Sequence, residues 1–218
     1  LSGEVLSYEG PFGVGYAVAE LKWDNCIEES PLDKYLELKN ENLRARREKE
    51  DPYVKLARTA LENKLRYNKQ TKISENLPRE MIERKAGVFV TIKKSGELRG
   101  CIGTITPTRE NVAYEIIQNA TSAGLKDPRF LPIDEEELDE LSYSVDVLGE
   151  AEEIDTLDKL DPNRYGVIVK KGMRRGLLLP NLEGVDTIEK QLRITLQKAG
   201  IREDEDYKIE RFEVIRHK

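Results

Sequence analysis

The sequence predicts an α+β fold: two β-rich subdomains with packed helices around a cleft. Three observations carry that expectation. A strand, turn, strand, helix, strand pattern occupies 88–93, 98–105, 109–123 and 141–149, and the same order recurs at 165–170, 176–179, 187–199 and 207–215. Both second strands open on Arg-Gly, as Arg99-Gly100 and Arg175-Gly176, and run on to a proline, Pro107 and Pro180, which suggests an internal duplication. Composition agrees: 38% hydrophobic residues in a chain of 218 can bury a real core, and 36% charged residues give it a heavily charged surface.

Taken in order, 1–20 alternates glycine-rich turns with short apolar runs and ends in Val14-Gly15-Tyr16-Ala17-Val18-Ala19. It reads as one or two strands with nothing nearby to pair with, so 1–29 is expected to be the end of an upstream domain. Ser30-Pro31-Leu32-Asp33 is a helix start, with a hydroxyl cap, proline in the first helical position and an acid three residues after the cap. The helix it opens has few apolar positions, Leu32, Tyr35, Leu36 and Leu43, which makes 30–50 a charged helical linker. Asp51-Pro52 starts a second helix in which Tyr53, Leu56, Ala57, Ala60, Leu61 and Leu65 share one face, and the main domain, 51–218, begins there. Within the two repeated units, Thr108 is expected to cap the first helix, Asp186 with Glu189 to form a capping box on the second, and Gly200 to close it. The acidic run 134–140 is expected as a solvated helix face or N-terminal turn.

Charge and composition argue against several function classes. With 42 acidic against 36 basic residues the net charge is -6, and the pI is near 5.2. A dedicated nucleic-acid binder has a domain pI above about 9. No apolar run approaches the roughly 18 residues of a membrane helix. Two cysteines, Cys26 and Cys101, lie far apart in a chain without a signal-peptide pattern, which points to a reducing cytoplasm and away from a disulfide framework. The single histidine, His217, sits next to the C-terminus, so no histidine-built metal site can be assembled, and no cofactor is expected within this chain.

The stretch that carries chemistry is Leu98-Arg99-Gly100-Cys101-Ile102-Gly103. Glycine is disfavoured inside a strand, so two of them three apart suggest a bulge or a close approach by another chain or a ligand. Strand alternation puts Arg99, Cys101 and Gly103 on one face. Arg99 can clamp an anion or pair with a carboxylate on a neighbouring strand. Cys101 could be a nucleophile, but arginine cannot take its proton and no histidine is at hand, so it is assigned to the wall of the site. Asp127-Pro128-Arg129-Phe130 follows the first repeated helix, and proline holds Asp127 extended. Glu115, on that helix, is the expected acidic partner of Arg99 or Arg129. Lys170, Lys171, Arg174 and Arg175 form a basic turn that could face an anionic ligand, RNA included, without aromatic residues for base stacking.

Together with Gly176-Leu177-Leu178-Leu179-Pro180, these two motifs resemble the signature of the AMMECR domain family over 51–218. The resemblance implies a cleft lined by Arg99, Gly100, Cys101, Gly103, Asp127 and Arg129, with Phe130 holding the loop down; it implies no reaction. The stretch Glu9–Tyr16 resembles the C-terminal strands of the Memo-like branch of the class III extradiol dioxygenase family, which is found fused ahead of AMMECR domains. The histidine-rich centre of that family would be missing here, and with it dioxygenase-type chemistry. Three functions follow as expectations: a small anionic ligand bound in the cleft, an interaction module for a fused Memo-like domain and a radical S-adenosylmethionine protein, and, third, RNA binding.

Overall fold

The structure, a computed structural model, describes residues 2–9, 16–22 and 30–218; Cys26 and the glycine-rich stretch 10–15 lie outside the described residues. The chain divides into two compact units, Leu1–Glu48 and Lys49–Lys218.

In the first unit, β1 (Ser2–Glu9) and β2 (Tyr16–Lys22) pair antiparallel, with a register shift between Val5 and Ser7. The expected strands therefore do have a partner, namely each other. α1 (Pro31–Glu48) starts at the expected place, where the Ser30 hydroxyl accepts from Leu32 N, and it buries none of its residues.

The second unit opens on α2 (Pro52–Tyr67), whose first N–H groups are capped by the Asp51 carboxylate, which accepts from Tyr53 N and Val54 N at 3.0 Å each. Val54, Leu56, Ala57, Ala60 and Leu61 form its buried face. A short α3 (Arg79–Glu83) leads to the hairpin of β3 (Val88–Lys94) and β4 (Glu97–Gly103), which turns on Ser95 and Gly96, both at positive φ. α4 (Val112–Leu125), a 3-10 turn over Glu135–Glu140 and β5 (Leu141–Leu148) complete the first repeated pattern. β6 (Glu152–Ile154), β7 (Gly166–Lys171), β8 (Arg174–Leu178), α5 (Ile188–Ala199), β9 (Lys208–Phe212) and β10 (Val214–His217) follow.

The strands form two four-stranded antiparallel sheets, β10-β5-β3-β4 and β6-β9-β7-β8. In each, a hairpin is followed by a helix and then by a strand that pairs with the first hairpin strand. α2 and α4 cover one sheet over Leu61, Val90, Ile92 and Ile116, and α5 covers the other over Val167, Val169, Leu192 and Leu196. The opposite faces of the two sheets meet over Phe89, Leu148, Ile168, Leu177 and Phe212. Each such side chain, fully buried, is worth about 1.5–3 kcal/mol, so this third cluster ties the halves together.

The structure moves several expected boundaries. The single strand expected at 207–215 breaks at Glu213 and serves both sheets, β9 in one and β10 in the other. The Glu213 carbonyl accepts from Gly149 N at 2.8 Å where the chain crosses. α4 begins three residues later than expected, because Asn111, not Thr108, caps it by accepting from Tyr114 N. Thr187, not Asp186, caps α5, while Gly200 closes it in the left-handed conformation as expected.

Candidate functional site

Cys101 lies on β4, an edge strand, opposite Thr91 of β3. Its neighbours Gly100 and Ile102 turn towards α4, so the thiol points to the other face, where the Thr91 hydroxyl lies 3.3 Å from Sγ. An edge strand leaves every second N–H and C=O without a partner strand. At Cys101 the Asp-Pro-Arg-Phe loop supplies the partners: Asp127 Oδ2 accepts from Cys101 N at 2.8 Å, and Arg129 Nη2 donates to Cys101 O at 3.1 Å. Arg129 also donates to both Asp127 oxygens, at 2.9 and 2.7 Å, and these bonds hold the Asp127 carboxyl far below the usual carboxylate range although burial alone would raise it. The loop is anchored by Ile133 N, which donates to Gly124 O, and the Arg129 guanidinium lies 5.5 Å over the Phe130 ring. Asp127 is shut in, with 2% of its side chain exposed, whereas Arg129 is 54% exposed.

Arg99 does not share this site. The pairing runs from Ile92 opposite Gly100 to Lys93 opposite Leu98, which leaves Arg99 in a bulge and breaks the alternation that should have set it beside Cys101. Its guanidinium donates to both Glu137 oxygens, at 3.1 and 2.8 Å, and to the carbonyls of Leu131 and Pro132. The carboxylate it pairs with therefore comes from the 3-10 turn and not from a neighbouring strand. Arg99 pulls the Glu137 carboxyl down to about 2, with Lys94 adding to the effect.

The glycines are explained from inside the protein as well. A Cβ on Gly100 would stand 2.2 Å from the Ala123 carbonyl oxygen, and one on Gly103 2.2 Å from the Phe89 ring. The close approach that two strand glycines suggest is made by a helix backbone and an aromatic ring.

Glu115 pairs with neither Arg99 nor Arg129. It is wholly buried, and its oxygens accept from Thr104 Oγ1, Thr108 Oγ1, Thr108 N and Arg109 N at 2.7–2.8 Å. Burial pushes its pKa up, but these bonds together outweigh it and the carboxyl titrates below its ordinary value. Its work is to fold the segment before α4, which also borders an open cavity of about 270 Å³ lined by Gln70, Thr108, Arg109, Glu110, Tyr114 and Gln118.

Sequence reasoning missed Lys198. It stands in the last turn of α5 and reaches over β8, the edge of the second sheet, where Nζ donates to Leu177 O at 3.5 Å. There it feels both the Cys101 thiol and the Arg129 guanidinium; burial lowers its pKa, the thiol works against that shift and Arg129 with it. The Cys101 backbone is thus flanked by the Asp127 carboxylate and the Arg129 guanidinium, while Lys198 stands over the edge of β8. The signal available in the sequence was the paired hairpin-helix pattern, which puts the end of α5 beside Gly176 much as the end of α4 lies beside Gly100.

Three of the four cations of the basic turn are paired: Lys170 with Glu210, and Lys171 and Arg174 with Glu205. His217 stacks on Tyr53 at 3.7 Å between centroids, with Nδ1 2.5 Å from Asp51 Oδ2, away from Cys101 and at the cap of α2. Among the described residues no group of His, Cys, Asp and Glu could hold a metal ion, and no helix is long and apolar enough to cross a membrane.

Comparison with known proteins places this architecture. The AMMECR1 family model matches residues 54–217. A protein of Clostridium acetobutylicum is 50% identical over 218 residues, 99% of this chain and 46% of its own length, so the chain spans about half of that relative. A protein of Thermotoga maritima is 53% identical over 171 residues, 78% of this chain and 98% of its own. The crystal structure of the uncharacterized protein PH0010 from Pyrococcus horikoshii matches with a TM-score of 0.70 at 36% identity, covering 75% of this chain and 88% of that one. With a family model over most of its length, and a solved relative of the same mixed α and β architecture, the chain belongs to the AMMECR1 family.

Proposed function

We propose that the second unit binds a small anionic molecule at the edge of β4, on Arg129 beside Cys101, with Lys198 of α5 as a second cation. One observation carries this reading: the exposed Arg129 guanidinium is held 3.1 Å from the Cys101 carbonyl beside a half-buried thiol, and the carboxylate next to it, Asp127, is already engaged by the Cys101 N–H and by Arg129. On a chain of net charge -6, such a spot draws anions by its local field against a repelling background. Arg129 keeps more than half of its side chain exposed and can turn donors outward, as a guanidinium does for carboxylate or phosphate. Arg99, Gly100 and Gly103 shape the strand that presents Cys101, and Asp127 fixes Arg129.

The test is calorimetric titration with inorganic phosphate and citrate, alongside native mass spectrometry of freshly isolated protein. The expected result is anion binding, or a small anionic adduct, that Lys198→Met removes without a change in melting temperature. Equal affinity in the variant overturns the reading.

A second reading, as an interaction module, draws support from the first unit. The clostridial relative is about twice as long and matches nearly the whole chain, hairpin included. Val5, Leu6, Tyr8, Val18 and Leu21 are exposed on that hairpin. On this reading the hairpin completes a Memo-like domain, and the chain also serves a radical S-adenosylmethionine protein. Sedimentation of the chain mixed with those separately produced partners should show a complex, and its absence counts against the reading. RNA binding lacks comparable support, since the basic turn is paired with Glu205 and Glu210.

A further inference from the structure

The open cavity at the start of α4 shares none of its lining residues with the Cys101 edge. Its walls are fixed from inside the protein. Glu115 accepts from Thr108 N and Arg109 N at 2.8 Å each, which pins the backbone of one wall to a buried carboxylate and leaves the Arg109 and Glu110 side chains to the cavity. The Arg109 guanidinium is held by a relay along α4: Nη2 donates to Gln118 Oε1 at 3.2 Å, and Gln118 Nε2 donates to Ser122 Oγ at 3.1 Å. Gln70, which also lines the cavity, sits between two anchored neighbours. Lys69 N donates to Asn63 O, and the buried Thr71 hydroxyl donates to Thr59 O and accepts from Asn63 Nδ2. The polar groups on these fixed walls are uncommitted. Among the described residues the Glu110 carboxylate forms no ion pair or hydrogen bond, although Arg109 is its neighbour in the chain, and neither the Tyr114 hydroxyl nor the Gln70 amide has a protein partner. Arg99 and Arg129, by contrast, each close on a carboxylate of their own, Glu137 and Asp127.

We propose that this cavity binds a zwitterion, an α-amino acid whose carboxylate lies on the Arg109 guanidinium and whose ammonium lies on the Glu110 carboxylate. The guanidinium offers a planar fork of donors that matches a carboxylate, and the Glu110 oxygens accept from an ammonium. A simple anion would meet Glu110 as a like charge, and a simple cation would meet Arg109 in the same way, so a ligand carrying both signs is selected over either. Size agrees with this class. A cavity of about 150 Å³ takes a benzene ring, so about 270 Å³ holds an amino acid together with its side chain. The half-buried Tyr114, packed against the core beneath α4, gives that side chain an apolar wall. Walls already ordered by Glu115, Gln118 and Thr71 leave little for binding to order. The site is separate from Arg129 and does not depend on the anion-binding reading above.

The experiment follows backbone amide resonances of the full chain during titration with four compounds. L-phenylalanine and glycine are zwitterions with and without a side chain; phenylpropionate lacks the ammonium and phenethylamine lacks the carboxylate. Arg109→Gln and Glu110→Gln are titrated alongside. Both side chains are exposed, and the bonds to Glu115 come from backbone N–H and hydroxyl groups, so both variants should fold, which melting curves establish. The expected result is a saturable shift of the Gln70, Arg109, Glu110, Tyr114 and Gln118 amides with L-phenylalanine, and affinity for each single-charge analogue lower by about tenfold or more. Arg109→Gln should weaken L-phenylalanine by about tenfold. In Glu110→Gln the amino acid should lose its advantage, so that phenylpropionate binds as well as L-phenylalanine. No saturable shift around the cavity with either zwitterion overturns the proposal, as does equal affinity for the three phenyl compounds, or binding unchanged in both variants. Shifts confined to Cys101 and Arg129 would put the amino acid at the β4 edge; they overturn the proposal and leave the anion-binding reading standing.

Discussion

Asp127 and Arg129 close over the edge of β4 as a neighbouring strand would, one accepting from the Cys101 N–H and the other donating to its C=O. Two side chains held in mutual hydrogen bonds thus do the work of a backbone ladder for a single residue. The same pair that terminates the sheet also presents an exposed guanidinium beside Cys101, so deleting either residue would disturb the sheet edge and the proposed anion site together. They can be separated by pH and by graded substitution.

Asp127 ties stability to acidity. Its folded-state pKa is depressed, so the stabilisation is fully present above the unfolded value of about 3.9 and is lost as pH falls towards the folded value. Glu137, pulled down to about 2 by Arg99, acts in the same direction and over the same window. The urea midpoint should therefore be level above about pH 5 and fall steeply below about pH 4. Asp127→Asn should flatten that fall, while Asp127→Ala should cost about 1–3 kcal/mol at neutral pH by leaving the Cys101 N–H without its acceptor. An acid limb unchanged in Asp127→Asn would show that the pair contributes nothing.

Arg99 is expected to matter for stability and not for ligand. Its side chain and that of Glu137 are each 17% exposed, and its donors go to Glu137 and to two loop carbonyls. Arg99→Ala should cost about 3 kcal/mol, since it strands a partly buried carboxylate. Arg99→Lys should recover less than half of that, because an ammonium cannot reproduce the fork. Denaturant unfolding measures both. Phosphate or citrate affinity should be unchanged in Arg99→Lys, and loss of anion binding in that folded variant would return Arg99 to the site.

Much of this was legible in the sequence, and the misses have physical causes. The face of α2 and both hairpins follow from apolar spacing, which local residues determine. The glycines were rightly read as marks of a bulge or a close approach, but spacing does not say what approaches, and here it is the Ala123 carbonyl and the Phe89 ring. A bulge at Arg99 is a register event between two strands, so alternation along one strand could not place that side chain. The change of sheet at Glu213 costs no turn residue and leaves no local mark. Lys198 is set over the edge of β8 by the packing of α5 on its sheet, a tertiary fact invisible to any window. Glu115 misled for a different reason: an acid on a helix between two arginines suggests an ion pair, yet its partners are hydroxyls and N–H groups.

Gly100 and Gly176 offer a test of the shared plan of the two sheets. A Cβ at Gly100 would stand 2.2 Å from Ala123 O, and at Gly176 2.3 Å from Thr195 O, so each second strand lies directly under helix backbone. Neither carbonyl can move without breaking its helix. Alanine at either position should cost about 3 kcal/mol or more, at the upper end of overpacking penalties. Gly172→Ala, at a turn with open space around it but a φ of +57°, should cost only about 1 kcal/mol from backbone strain. Thermal melting of the three variants decides it: a mild Gly176→Ala would show that α5 sits off its sheet by more than the structure has it.

Glu115 gives the last prediction, and it distinguishes framework from site. The carboxylate accepts four hydrogen bonds in complete burial, from two hydroxyls and two N–H groups of the segment that precedes α4. Glutamine keeps the shape but offers one acceptor oxygen in place of two and turns an NH2 group toward donors. Glu115→Gln should therefore cost about 3 kcal/mol, since bonds to a charged acceptor are worth more than neutral ones and at least one buried donor is left unmet. Because the folded pKa is lowered, the stabilisation from Glu115 is present above the ordinary glutamate value of about 4.3 and disappears as the solution is made more acidic than that. A double-mutant cycle with Thr108→Ala should show coupling of about 1 kcal/mol or more, as expected within one hydrogen-bonded network. Alkylation of Cys101 should be unaffected in the folded variant. A change in thiol reactivity on Glu115→Gln would place this buried carboxylate in the electrostatic reach of the site, where no hydrogen bond connects it.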